Sequence, residues 1–126
     1  MTKGEVPADV RRFILTSIPS VPYLEAVLLM RAEPEDAWDA PRLARRLYVG
    51  ERTAADLIGL LTAGGVATAE ASSPGVRYAP QPELGALIER VAEAYATDLV
   101  AVTDLIHSRI DKRAQQFADA FRFRKE

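Results

Sequence analysis

Few side chains in this chain could carry out chemistry. His107 is the only histidine and cysteine is absent, so a protein-built zinc site or a thiolate nucleophile is not expected. The Gly64-Gly65 step lacks the Lys-Ser/Thr that follows in a phosphate-binding loop. The acidic segment 33–36 contains a proline, which predicts a loop, and carboxylates in loops are usually solvated. We therefore expect no catalytic residue, no metal ligand and no cofactor, and a protein that is not an enzyme.

The composition predicts one folded domain over residues 1–126. Hydrophobic residues make up 48% of the chain, which is enough for a buried core. The net charge is −2, but residues 40–80 carry five basic and three acidic groups, and residues 109–126 carry six and three. Positive charge is thus concentrated in the middle of the chain and at its C-terminal end. We expect no secretory signal, because the first residues carry charges and no apolar segment. No apolar run reaches about 18 residues, so we also expect a cytoplasmic protein without a membrane span.

Prolines and glycines divide the chain into segments whose apolar spacing is mainly helical. Asp39 is a good N-cap for one of these helices, and Gly64-Gly65 is a typical end for the next. The predicted elements, in chain order, are helices over 7–18, 22–33, 40–47 and 52–63, a hairpin with strands 66–69 and 76–79, a long helix over 83–107 with a break near 108–111, and a basic aromatic C-terminal arm, 108–126.

The segment from Leu43 to Val66 has the pattern of two helices that cross closely and lead into a strand. Leu47 packs the first helix, Val49 fills the turn, and Ala54 is small where the helices cross. This segment resembles the helix-turn-helix of winged-helix regulators of the MarR type, and the resemblance extends over residues 22–80. It implies a mainly α fold with a small β-hairpin wing, to which an N-terminal helix and a long C-terminal helix are added. It also implies a DNA-binding transcriptional regulator that acts as a dimer.

The same resemblance implies which residues contact DNA. In such proteins the second helix of the motif reads the major groove, and basic side chains of the first helix and the wing hold phosphates. The implied contacts are Arg42, Arg45, Arg46, Arg52, Ala55, Asp56 and Arg77.

The exposed face predicted for the second helix also fits a protein partner. Asp56 would face phosphates, which is unfavourable unless it pairs with Arg52 one helical turn away. Ala55, Gly59 and Ala63 are spaced four apart and would let another backbone approach closely. The alternative function is therefore a winged-helix protein-interaction module that does not bind duplex DNA.

The predicted long helix carries a narrow apolar stripe, which so small a core cannot fully cover. A homodimer with this helix at the interface explains the stripe, and the alternative is that the helix folds back on the N-terminal helix of its own chain. Phe117 and Phe121 lie four apart on one helical face of the arm. They would dock on a partner or, alternatively, pack on the chain's own core. The predicted interface residues are Leu84, Ile88, Val91, Tyr95, Leu99, Val102 and Ile106.

Overall fold

Helices make up most of the structure, a computed structural model that describes residues 6–70 and 74–108. These residues form six helices and one two-stranded antiparallel sheet, which confirms a mainly helical fold with a small hairpin. The described residues divide into two compact units, one within 22–92 and one formed by 6–21 with 93–108, and organisation as a single domain stays a prediction. The elements are α1 (Ala8–Ser17), α2 (Val21–Ala32), α3 (Ala40–Leu47), α4 (Glu51–Ala63), β1 (Ala67–Ala69), β2 (Val76–Tyr78), α5 (Pro82–Thr97) and α6 (Leu99–Ser108).

Helix α3 begins where the sequence predicts it. Asp39 has extended backbone angles, and its carboxylate accepts a hydrogen bond of 2.9 Å from the backbone N–H of Arg42. This bond satisfies one of the N–H groups that the first turn of a helix leaves without a partner. Pro41 follows in the first turn, where its missing N–H costs nothing. The helix ends at Tyr48, whose N–H donates to the carbonyl oxygen of Ala44.

Helix α4 packs against α3 through one apolar face. Ala54, Leu57 and Leu61 are buried on that face, as the spacing predicts. The Gly64-Gly65 step ends the helix, and Gly65 takes a positive φ of 82° that favours glycine. The chain then enters β1 directly, so that the hairpin follows α4 without a long loop.

The hairpin is joined to the segment that precedes α3. Strand β1 pairs with β2 in the register Ala67↔Tyr78, and Val76 of β2 also pairs with Trp38 on its other side. Two backbone hydrogen bonds of 2.8 Å make this Trp38–Val76 bridge. A Cβ at Gly75 (φ +112°) would stand 2.5 Å from the carbonyl oxygen of Trp38, so only glycine fits this close approach. The bridge therefore holds the hairpin beside the start of α3.

The predicted long helix over 83–107 is two helices in the structure. Helix α5 ends at Thr97 and α6 begins at Leu99. Between them Asp98 acts as an N-cap, because its carboxylate accepts a hydrogen bond of 3.0 Å from the N–H of Ala101. The apolar residues keep the same spacing of three or four across this junction. Their periodicity therefore did not reveal that one helix ends and another begins there. The predicted break near 108–111 lies outside the described residues except for Ser108.

In the unit that holds the N-terminal helix, the apolar spacing of α1 agrees with burial. Val10, Ile14 and Ile18 are all at most 1% exposed. Within residues 6–70 and 74–108, no single helix is long and apolar enough to cross a membrane. Only α1 and α2 taken together, with the break between them, reach the length and apolar composition of a membrane span.

Candidate nucleic-acid interface

Arg42 is held by a set of partners around the start of α3. Its Nη2 lies 2.8 Å from Asp36 Oδ2 and 3.5 Å from Glu33 Oε1, and its Nη1 donates to the carbonyl oxygen of Ala37 at 2.9 Å. The guanidinium also lies 4.0 Å from the centroid of the Trp38 ring, within the range of a cation–π contact. The charge of Arg42 is therefore largely matched within the chain.

Arg46 belongs to the same cluster, one turn further along α3. Its Nη2 lies 2.9 Å from Glu33 Oε2, and its guanidinium is 5.6 Å from the Trp38 ring centroid. The hydrogen bond from Arg42 lowers the pKa of Asp36 below its ordinary value, and a hydrogen bond with Glu33 adds to this effect. We call Glu33, Asp36, Trp38, Arg42 and Arg46 the arginine–tryptophan cluster. It ties the loop after α2 to α3, and it occupies two of the arginines predicted to hold phosphates.

Arg77 on the hairpin is also paired. Its Nη2 lies 2.9 Å from Glu70 Oε2, so the single cation predicted for the wing has a carboxylate beside it. The Nε of Arg77 is buried and has no hydrogen-bond partner within the described part of the chain. This geometry shows a side chain fixed against its own hairpin rather than extended into solvent.

Arg45 and Arg52 differ from these three arginines. Both are exposed, and neither forms an ion pair with any residue in 6–70 or 74–108. Arg45 lies in the last turn of α3, and Arg52 lies in the first turn of α4. Arg52 and Asp56, which stand one helical turn apart on α4, do not form an ion pair in the structure. These two arginines are the predicted DNA contacts that remain available to an external anion.

The exposed side of α4 carries short side chains. Ala55 and Asp56 are exposed, as the sequence predicts for contacts with a partner. A Cβ placed on Gly59 would have no neighbouring atom within 4 Å, so this position opens directly to solvent. Leu60 beside it is 49% exposed. The side of α4 that faces away from the core is therefore exposed among the described residues, and its first half carries one cation, Arg52, and two carboxylates, Glu51 and Asp56.

Tyr48 is the most exposed of the large hydrophobic side chains in the described residues. It is 95% exposed at the turn between α3 and α4. Its backbone is left-handed, with φ 59° and ψ 45°, and it is the only non-glycine residue with positive φ among those described. The position of Tyr48 directly after α3 is the signal that could have indicated this conformation. Helices commonly end at a residue with left-handed backbone, which is most often glycine.

The residues predicted for a dimer interface separate into three groups by their exposure. Ile88, Val91, Val102 and Ile106 are at most 1% exposed within the single chain, and both the homodimer and the fold-back alternative stay predictions. Leu84 and Tyr95 are half-buried. Leu99 is 51% exposed at the start of α6 and remains available to a second copy. Phe117 and Phe121, predicted for the partner arm, lie outside the described residues.

One ion pair that the sequence did not suggest joins the end of α2 to the middle of α5. Arg31 at the end of α2 meets Glu89 in a two-pronged contact, with Nε–Oε2 at 2.8 Å and Nη2–Oε1 at 2.7 Å. The hydrogen bond from Arg31 holds the pKa of Glu89 below its ordinary value, and the same bond raises the pKa of Arg31. The pair joins residues 58 positions apart, so no local pattern could reveal it.

The described residues contain no group of three or more histidine, cysteine or acidic side chains that could hold a metal ion. Comparisons with protein-family models, with curated proteins and with solved structures found no match to this chain. The function is therefore argued from the arrangement of the chain's own residues.

Proposed function

We propose that this protein is a DNA-binding transcriptional regulator of winged-helix type that acts as a dimer. The order of elements supports this proposal. Helices α3 and α4 are joined by the three residues 48–50, the length typical of a helix-turn-helix. A hairpin follows α4 at once and is bridged to Trp38 in front of α3, as a wing beside the motif would be. In this proposal α4 is the recognition helix.

One observation carries the proposal. The side of α4 that faces away from its core is open to solvent, and the two predicted contacts without a carboxylate partner, Arg45 and Arg52, stand at the end of α3 and the start of α4. In this proposal these two cations hold backbone phosphates beside the groove that α4 enters. Arg42, Arg46 and Arg77 are secondary contacts, because each must first leave a carboxylate.

Binding to a random-sequence duplex across a salt series tests the proposal. Each phosphate neutralised by a cation contributes a slope of about −0.9 to log K against log salt. With Arg45 and Arg52 as the main contacts, the slope should be about −2 for each protomer. Absence of binding even at low ionic strength would refute DNA binding.

Two variants and one control locate the surface. Arg45→Ala and Arg52→Ala should each weaken binding and reduce the salt slope by about 1. Arg12→Ala removes an equally exposed arginine from α1 and should leave both the affinity and the slope unchanged. An unaffected affinity in the first two variants would mean that DNA is held by another surface.

The dimer is tested by the molar mass in solution. Light scattering should give twice the chain mass of 13.8 kDa. Leu99→Gln should lower the dimer fraction, because Leu99 is the exposed member of the predicted interface. A monomeric mass at all concentrations would remove the dimer from the proposal while leaving the recognition helix in place.

A protein-interaction module remains the second candidate. The half-exposed Leu60 and the open Gly59 on α4 favour it, since a flat face of small and apolar groups is better suited to another protein than to phosphates. The salt series separates the two candidates, because this module would not bind duplex DNA at low ionic strength.

A further inference from the structure

Tyr48 occupies a position whose residue type the fold does not require. Its backbone N–H closes the end of α3 by bonding to the carbonyl oxygen of Ala44, and any residue with an N–H could form this bond. Its side chain is 95% exposed, so the ring contributes almost nothing to the buried core. A left-handed backbone at φ 59° disfavours residues with a Cβ and favours glycine. The chain therefore keeps a large aromatic residue where a glycine would fit the backbone better.

Two exposed arginines and one exposed carboxylate, Glu51, flank Tyr48 along the chain, and the arginines could hold an anion. Arg45 lies three residues before it and Arg52 four residues after it, and neither is paired with a carboxylate within the described residues. A tyrosine hydroxyl is one of the neutral side-chain donors that commonly contact DNA phosphates. Backbone outliers of this kind cluster at sites that bind a ligand.

We propose that Tyr48 is a DNA-contacting residue whose hydroxyl donates a hydrogen bond to a phosphate oxygen between those held by Arg45 and Arg52. This inference rests on the proposed DNA binding and adds a neutral contact that sets the position of the duplex against the turn. Because the tyrosine is uncharged, it changes the affinity but not the number of counterions released.

The test uses the full chain and a random-sequence duplex of about 30 base pairs, enough for a dimer with two half-sites. Tyr48→Phe removes only the hydroxyl and should weaken binding about fivefold, with an unchanged salt slope and an unchanged Tm. Tyr48→Gly removes the whole side chain and should weaken binding at least as much, but it should not lower the Tm, because glycine accepts the left-handed backbone.

Tyr23→Phe provides a matched control. It removes a hydroxyl from a tyrosine that is 5% exposed on α2, so the DNA affinity should stay at the wild-type value. Wild-type affinity in Tyr48→Phe would overturn the inference and leave the proposed function standing. A lowered Tm in Tyr48→Gly would assign Tyr48 a structural role and also overturn it. A wild-type chain that binds no duplex at low salt would refute the proposed function and this inference together.

Discussion

Gly75→Ala should destabilise the protein strongly, because the Trp38–Val76 bridge leaves no room for a side chain. The added Cβ would stand 2.5 Å from the carbonyl oxygen of Trp38 and 2.9 Å from its carbonyl carbon. These are backbone atoms, which cannot turn aside as a flexible side chain could. Gly75 also has a φ of +112°, a conformation in which alanine is strained.

The expected loss follows from two contributions. Forcing alanine into a sparsely populated backbone region costs about 1–3 kcal/mol. Separating Trp38 from Val76 removes two backbone hydrogen bonds of 2.8 Å, each worth about 1 kcal/mol. The free energy of unfolding should therefore fall by about 3–5 kcal/mol, a large share of the 5–15 kcal/mol typical of a domain.

Urea unfolding followed by tryptophan fluorescence measures this loss at the bridge itself, because Trp38 is the only tryptophan. Gly59→Ala is the matched control: its Cβ meets nothing within 4 Å, and the substitution lies inside α4. Alanine is a better helix former than glycine, so the control should gain about 1 kcal/mol. If Gly75→Ala lost less than about 1 kcal/mol, the strain and the clash argued for this position would be refuted.

Three further predictions concern the residues that position the proposed interface. Asp39→Ala removes the N-cap of α3 and should lower the free energy of unfolding by about 1 kcal/mol, measured by urea unfolding, with Asp39→Asn as a control that keeps a capping oxygen. Glu89→Gln should lower the free energy of unfolding by less than about 1 kcal/mol, because its ion pair with Arg31 is exposed to solvent. If Glu89→Gln caused the same loss in a protein that already carries Arg31→Ala, the loss would not come from this ion pair. The pKa of Asp36 is lowered in the folded state, so its contribution is present above the ordinary pKa of about 4 and is lost as the pH falls through the folded value. Asp36→Asn should therefore flatten the decline of stability below about pH 4 in urea unfolding at several pH values, and an unchanged decline would contradict this assignment.

Local signals in the sequence were sufficient for the helices of the core. Asp39 could be assigned as an N-cap because its short side chain reaches the N–H groups of the next turn, whatever the rest of the chain does. Gly64-Gly65 likewise marks the end of α4 by its own backbone freedom. The buried faces of α1 and α4 followed from a spacing that repeats with the helical turn.

The sequence did not predict where the stripe in the C-terminal half would break. The cap at Asp98 is as local as the one at Asp39, but no proline or glycine stands beside it, and the apolar residues continue in phase on both sides. A continuous helix and two capped helices therefore fit the same spacing. Burial of Val102 and Ile106 within the chain then depends on packing that spacing does not encode.

The candidate interface also has some features that follow from the sequence and others that depend on the tertiary structure. The sequence by itself determined which arginines fall between residues 40 and 80, and which faces of α3 and α4 are apolar. Only the tertiary structure decided which of those arginines are paired, because Arg42 and Arg46 meet carboxylates of the preceding loop, whereas the exposed Arg45 forms no ion pair with a described residue. It also joined Trp38 to Val76, 38 positions later in the chain. Contacts of this range depend on how the chain closes on itself, and no spacing of residue types along the sequence records that closure.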